Sequence, residues 1–456
     1  MAELNTYIVT FNCGRTLVDV SYFASQLFNG LSKQHLPPDL IVLALQEIAP
    51  IANSFLGGSF LTPYFDRFSF ALDTALKSQD WNSQYERVLA SNVGLTGFML
   101  YAKREVPRKI RWIETAGVGV GLWEMGNKGA VGIRLGYTAG EGGEEMETTF
   151  ISAHLAPMED ACDRRNQDWK AINENLVFTR APRAFNAKAK PKVVNEHPSE
   201  ESEPLLSSAT DDGTHAKQST YQGPLTSTSH FFFSGDLNYR TSDKPPGPQD
   251  HRNWPQPATS PSEPHHFSNL IPKDQLTRER SAGRTLHYLT EAPINFPPTY
   301  KYSAKAQHDL SRRLARARAT GNASIVPPPE ENEWVWAKHR YPSWCDRILY
   351  LEPPFPGTQP KVLNYTSLPL QPTSDHKPVA LHVLIPLKPL GGEAWIKPPF
   401  RTRADWAARR ASARRKEVVV GVLAYLVLSW EGRAVLLGTL LGVAGGWAIL
   451  RSLLSF

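Results

Sequence analysis

Six stretches of the chain set an acid, an amide or an imidazole beside an apolar run. Asn12 follows "TYIVTF", Glu47 follows "LIVLALQ", and His154 stands near the end of "TTFISAHL". Asp236 and Asn238 close the run that begins at His230, Asp346 opens "DRILY", and Asp375 and His376 precede the last long apolar stretch. Alone, "SGDLNYR" (234–240) reads two ways. Gly, Asp and Asn are turn residues, or a rigid strand holds polar groups at a sheet edge, where ligands bind. Six such sites in one chain favour convergence on one cleft. Two histidines among carboxylates and amides suit an oxygen-coordinated divalent cation and the hydrolysis of a phosphate ester. Mg²⁺ takes about one or two protein carboxylates and fills its shell with water and substrate phosphate.

Other chemistries fit poorly. Cys345 has no Arg six residues on, since Leu351 stands there, so a Cys-x5-Arg phosphate loop is excluded. "GVGVGLWEMGNKG" (117–129) lacks the Lys-Ser/Thr of a P-loop and the strand–turn–helix setting of a dinucleotide site. His230 and His287 read as ordinary surface or strand-end histidines, and Trp344 as core. Three scattered cysteines support neither a disulfide framework nor a zinc site, which points to a reducing, intracellular compartment. The N-terminal residues carry no secretory pattern.

The elements that must hold these groups alternate between strand-like and helical patterns, as in an α/β or α+β domain. Strands are predicted at 6–11, 40–46, 95–102, 129–135, 148–155, 230–236, 347–351 and 377–385, and helices at 19–30 and 159–178. Three segments read as disordered or loop insertions into a catalytic domain of residues 1–386: the polar 186–229, the Pro-rich 243–266, and 306–332, which begins basic and ends in "PPPEENE". The 456 residues carry a net charge of +6, and an apolar fraction of 41% supports a substantial core. A basic linker (387–416) leads to a hydrophobic segment (417–456), in which Val418–Trp430 and Ala434–Leu450 are broken by Glu431, Gly432 and Arg433. A run of 17 residues is near the short end of what crosses a bilayer, and the preceding arginines place their side in the cytosol and favour anionic lipid. The run lengths leave open one span, a hairpin, or a span with an interfacial helix.

With the motifs assembled, the sequence resembles the inositol polyphosphate 5-phosphatases of the endonuclease/exonuclease/phosphatase superfamily. The resemblance rests on "TFNCG" (10–14), "LQE" (45–47), "GNKGAVGIR" (126–134), "SAHL" (152–155) with "RRN" (164–166), "FSGDLNYR" (233–240), "FPPTYKY" (296–302), "KHRYPSWCDRIL" (338–349) and "TSDHKPV" (373–379). It implies a DNase I-like four-layer sandwich, two mixed β-sheets flanked by helices. It implies Glu47 and Asn12 at a Mg²⁺ site, and Asp236 aligning and deprotonating the attacking water with Asn238 positioning the phosphate. His154 and His376 would stabilise transition-state charge, Asp346 would orient His376, and Asp375 would assist at the metal side. Lys128, Arg240, Tyr300, Lys301, Lys338 and Arg340 match family positions that grip inositol phosphates. Phe11, where Trp is common, and Arg15, just beyond Asn12, depart from the family pattern.

The expected protein is thus a membrane-anchored phosphoinositide 5-phosphatase with its domain in the cytosol. It resembles fungal members held on the endoplasmic reticulum by a hydrophobic tail. Its expected partners are an inositol lipid and the membrane, without nucleic acid, and a monomer is expected. The alternatives are a nuclease or sphingomyelinase of the same superfamily, or a catalytically silent membrane-tethered lipid-binding module.

Overall fold

A computed structural model describes residues 2–32, 37–79, 81, 84–138, 143–181, 223–258, 260–320, 333–391 and 394–455. The strands among them are, in chain order, β1 (Glu3–Asn12), β2 (Leu40–Gln46), β3 (Tyr85–Val93), β4 (Thr96–Lys103), β5 (Ile110–Gly119), β6 (Gly129–Thr138), β7 (Glu145–His154), β8 (Thr179–Arg180), β9 (Ser229–Asp236), β10 (Leu289–Thr290), β11 (Asp346–Leu351), β12 (Lys361–Ser367) and β13 (Val379–Pro386). The α-helices are α1 (Val20–Leu27), α2 (Ile51–Leu56), α3 (Thr62–Ser78), α4 (Cys162–Asn175), α5 (Gln275–Ser281), α6 (Ala304–Ala319), α7 (Trp406–Leu428) and α8 (Trp430–Leu454).

Alternation along β1 shows why the strands stack into layers. Ile8 points inward to a core shared by the two sheets, where it meets Val42, Leu100, Val131, Phe150 and Ile348. Tyr7, Val9 and Phe11 point outward onto Phe23 of α1 and Phe65 and Phe68 of α3. On the far side, Ile151 and Phe233 pack against Trp169 and Ile172 of α4. The result is the expected four-layer sandwich. One mixed sheet has the order β12-β13-β1-β2-β4-β3 and the other β10-β11-β9-β7-β6-β5-β8.

Pairing direction concentrates the polar termini. β1 runs parallel to β2, and β7 parallel to β9, so Asn12, Gln46, His154 and Asp236 all end at one edge. The antiparallel neighbours β11 and β13 begin there, with Asp346 opposite Asp236 and Val379 opposite Thr10. The same edge thus receives strand ends from one direction and strand starts from the other.

All eight predicted strands and both predicted helices correspond to elements of the structure. Sequence reading missed β3, β5 and β12, and the two-residue β8 and β10. In β3 five of nine residues, and in β12 six of seven, are not buried, so the continuous apolar run that marks a doubly covered strand is absent. Where they are described, segment 243–266 is a loop as expected, whereas 306–319 is corrected to helix. Segment 243–266 is held by Trp254, buried against Tyr341, and by Pro255, whose carbonyl accepts from Trp336 Nε1 at 2.7 Å. Residues 306–319 belong to α6, whose Leu310 and Leu314 are buried in a cluster with Trp254, Trp334 and Trp336. Residues 186–222 and 321–332 lie outside the described residues.

Beyond the last strand, α7 starts at Trp406 and runs unbroken through position 416, the expected end of the linker. The break before α8 falls at Ser429, whose hydroxyl caps the next helix by accepting from Gly432 N at 2.9 Å. α8 has 25 residues and is the one helix among those described that is long and apolar enough to cross a membrane. At about 1.5 Å per residue it covers the hydrocarbon thickness of a bilayer.

Candidate active site

Asp236, the last residue of β9, is the hub. Its Oδ1 accepts from Asn238 N at 3.1 Å, and its Oδ2 accepts from Asn12 Nδ2 at 2.9 Å and lies 3.2 Å from His154 Nε2. His376 Nε2 stands 3.9 Å from the same oxygen. Burial alone would push this carboxyl up. The charges of His376 and Lys128, with the His154 ring at hydrogen-bond distance, outweigh it and hold Asp236 far below the ordinary carboxylate range.

Opposite it across the β-ladder, Asp346 Oδ2 lies 2.8 Å from His376 Nδ1 and accepts from Thr299 Oγ1 at 2.7 Å. His376 would lose its proton on burial, but the charges of Asp346 and Asp236 prevail and raise it to about 9. It is therefore an imidazolium at neutral pH. His154 goes the other way: burial and the Lys128 ammonium lower it, so it is neutral. The two histidines, paired in sequence reading as equivalent charge stabilisers, are thus electrostatically different.

Glu47 follows β2 with a left-handed backbone, φ 47°, and Asn238 follows β9 in the same region at φ 58°. Such conformations are costly for non-glycine residues and recur at functional sites. Cations hold the Glu47 carboxylate. Arg15 bonds both oxygens, Nε at 2.9 Å and Nη2 at 3.2 Å, and Lys128 Nζ lies 3.8 Å away. Burial opposes these charges, yet the group stays below its ordinary value. Lys128 Nζ also reaches His154 Nε2 at 2.6 Å, so it joins the Glu47 and Asp236 halves of the site. Asn12 turns its Nδ2 to Asp236 and its Oδ1 to Gly14 N, 3.1 Å away. One ligand atom each from Asp236, Asp346 and His376 lies within 4.8 Å of the others. Two of these three are carboxylates, hard oxygen donors that fit a hard divalent cation, whereas the protonated His376 contributes charge rather than a lone pair.

The expected phosphate-gripping residues separate into three groups. Lys128 sits at the centre, and Lys301 donates to Asp375 Oδ2, joining two of the expected residues. Tyr300 stacks near His376 with ring centroids 4.5 Å apart, and the Arg240 guanidinium lies 4.3 Å over the Tyr300 ring. Arg240 is buried, however, and bonds Asn238 Oδ1 and, at 3.0 Å, Asn238 O. Its geometry locks Asn238. Arg340 turns to Met158 Sδ at 3.0 Å and to Glu159 at 3.9 Å, and Lys338 is exposed. Neither of these two touches the hub.

Sequence reading missed Thr299 and Ser374. Ser374 donates to Asn12 O at 2.6 Å and accepts from His376 N at 3.1 Å. Both hydroxyls lie inside quoted motifs, but a hydroxyl gives no sign in sequence of the partner it will meet. Arg15, noted as a departure, proves to be the principal partner of Glu47. His230 stands at a strand end as expected, second in β9, but is completely buried, and burial lowers it to about 4. Trp344 is core as expected, and Cys345 is buried with its thiol pushed well up, which leaves no thiolate for nucleophilic chemistry.

Comparison with known proteins bears on this geometry. Residues 9–382 match the model of endonuclease/exonuclease/phosphatase family 2. The chain is 28% identical to the mouse type II inositol 1,4,5-trisphosphate 5-phosphatase over 77% of its own length and 27% of the relative's. It is 23% identical to a probable inositol polyphosphate 5-phosphatase of Schizosaccharomyces pombe, over 86% of the chain and 29% of that protein. The chain thus spans about a quarter of the length of the curated relatives it matches. Among solved structures, the inositol polyphosphate 5-phosphatase domain of a synaptojanin, in complex with inositol (1,4)-bisphosphate and calcium, superposes with a TM-score of 0.54. That match is 20% identical and covers 91% of this chain and 90% of the other, which supports the fold. The chain belongs to endonuclease/exonuclease/phosphatase family 2 and is similar within it to the inositol polyphosphate 5-phosphatases.

Proposed function

We propose that this protein is a divalent-metal-dependent phosphomonoesterase that removes the 5-phosphate of phosphatidylinositol 4,5-bisphosphate and related inositol phosphates. The observation that carries the reading is the buried Asp236 carboxylate, set between His154, a cationic His376 and the Asn12 amide. A binding module has no use for a buried carboxylate so placed. The names of the curated relatives support the substrate class.

In this reading Asp236 aligns the attacking water. Its lowered pKa makes it a weak base before substrate arrives. A phosphate dianion beside His376 and Lys128 cancels the positive field that holds it down, and so raises its basicity when a proton must be taken. His376, fixed by Asp346 and Thr299, presents an imidazolium to the developing oxyanion. Asn238, locked by Arg240, orients the phosphate, and Lys128, Tyr300 and Lys301 bind phosphate groups, with Lys338 and Arg340 reaching the more distant parts of the substrate. Glu47, with Asn12 and Asp375 nearby, would hold Mg²⁺, which supplies charge withdrawal from the scissile phosphate.

The exposed α8 supports a membrane anchor, with the arginines of 401–416 on its cytosolic side and the endoplasmic reticulum as the expected address. A single span then confines a monomeric domain near lipid head groups and raises its effective concentration there. The test is phosphate release by the full chain in Mg²⁺ from vesicles carrying phosphatidylinositol 4,5-bisphosphate, beside soluble inositol 1,4,5-trisphosphate. Asp236→Ala is expected to lose about a thousandfold or more in both. Equal or better turnover of the soluble substrate would overturn the lipid preference, and nuclease activity without phosphatase activity would overturn the reading.

A further inference from the structure

The helix that leads to the anchor does not hang free. Ala413, Glu417 and Gly421, four residues apart and thus on one face of α7, are its buried positions. Gly421 crosses α2 so closely that a Cβ there would stand 3.0 Å from Phe55 Cβ. Arg414 donates to the Phe55 carbonyl and, at 3.0 Å, to that of Leu56, and pairs with Glu417 at 3.3 Å. These contacts tie α7 to the end of α2.

The same helix grips the loop before Lys128. Glu417 Oε1 accepts from Gly126 N at 2.7 Å. Lys416 Nζ reaches the Trp123 carbonyl at 3.5 Å, Arg409 pairs with Glu124, and Val420 packs with Met125. Gly126 is two residues from Lys128, whose ammonium touches both His154 and Glu47. Glu417 is 4% exposed, so its carboxylate is committed to this contact rather than to solvent.

We propose that Glu417 is a positioning residue for the active site: through the Gly126 amide it fixes the loop that carries Lys128, so the anchor-proximal helix is part of the machinery that binds phosphate. The inference rests on the phosphatase reading for its kinetic consequence, but the clamp itself is a property of the fold. Without the carboxylate, the 123–127 segment loses its acceptor, and Lys128 no longer meets the substrate phosphate in one place.

The experiment uses the full chain in detergent with soluble inositol 1,4,5-trisphosphate, so that membrane binding plays no part. Glu417→Ala is expected to raise KM about fivefold or more while kcat stays within about twofold. Glu417→Gln, whose amide oxygen still accepts from Gly126 N, restores KM. In a Lys128→Ala background, Glu417→Ala adds nothing further. Hydrogen exchange, with no substrate present, should show the Gly126 amide opening about tenfold faster in Glu417→Ala than in wild type or Glu417→Gln. Should the alanine variant fail to fold, Glu417→Asp withdraws the oxygen while keeping the charge, and gives the same expectations. An unchanged KM, or an equal increment in both Lys128 backgrounds, overturns the proposal. A wild type that releases no phosphate overturns the phosphatase reading instead, and exchange at Gly126 still decides the clamp.

Discussion

Asp346 and Arg347 are neighbours at the start of β11, both completely buried, and they face opposite sides of the strand. Arg347 looks toward α5, where its Nη1 donates to both oxygens of Asp274, the helix N-cap, at 3.1 Å. Its Nε and Nη2 donate to Glu291 at 2.7 and 2.6 Å. Every charge in that cluster is answered, and Tyr365 adds a hydrogen bond to Glu291 at 2.7 Å. Asp346 looks the other way, into a cluster that is left open. Its Oδ1 is buried without a hydrogen-bond partner among the described residues. His376 Nε2 stands 3.9 Å from Asp236 and 3.8 Å from Asp375, too far for a hydrogen bond to either. Two buried charges, one residue apart, therefore serve different ends. A closed network holds the chain together, whereas an open one with displaced acidities has capacity left for a substrate.

The sharpest way to break this contrast is to neutralise each side in turn. Asp346→Asn is expected to lower phosphate release about a hundredfold or more with the urea midpoint little changed, because it removes the charge that keeps His376 protonated. Arg347→Met strands Asp274 and Glu291 and is expected to cost about 3–5 kcal/mol of stability, while the turnover of whatever folds is near normal. Urea denaturation read beside activity checks both. If Asp346→Asn unfolds the protein and Arg347→Met merely slows it, the division is wrong.

Titration sharpens the comparison with a smaller effect. His376 is raised from an ordinary value of 6.5 to about 9 in the folded chain. A raised histidine contributes stability that is fully present below its unfolded value and is lost as pH rises through its folded one. Melting temperature should therefore decline between pH 6.5 and 9 in the wild type, and that limb should be absent in His376→Gln. Arg347 stays charged throughout this window, so Arg347→Met should shift the whole curve without changing its shape. A wild-type profile flat across the window would contradict the assigned imidazolium.

The smallest change is Thr299→Val, which removes one hydroxyl behind Asp346. The expected loss is about 1 kcal/mol in stability and about tenfold in turnover. A loss of stability alone would make Thr299 a packing residue.

Much of this arrangement was legible in the chain. The strands covered on both faces, β1, β2, β4, β6, β7, β9, β11 and β13, announce themselves as apolar runs, and Asn12, His154, Asp236 and Asp346 mark where they stop or start. The edge strands β3 and β12 were not legible, because a half-exposed strand carries charges and breaks the pattern. Nor was α6 within the basic 306–319 segment, since Leu310 and Leu314 find a core among residues scattered along the chain, Tyr22, Trp254, Tyr302, Trp334, Trp336 and Leu370.

By itself the sequence determined which groups are available and, through apolar periodicity, that they stand at strand ends, since residue type and spacing are local properties. Tertiary structure alone decided their charge states and their allegiances. That His376 holds a proton while His154 does not, that Arg240 serves Asn238, and that Glu417 closes on Gly126 from 291 residues away all depend on burial and on partners distant in the chain. A charge takes its energy from whatever lies within a few ångströms, and the order of residues along a chain does not specify that neighbourhood.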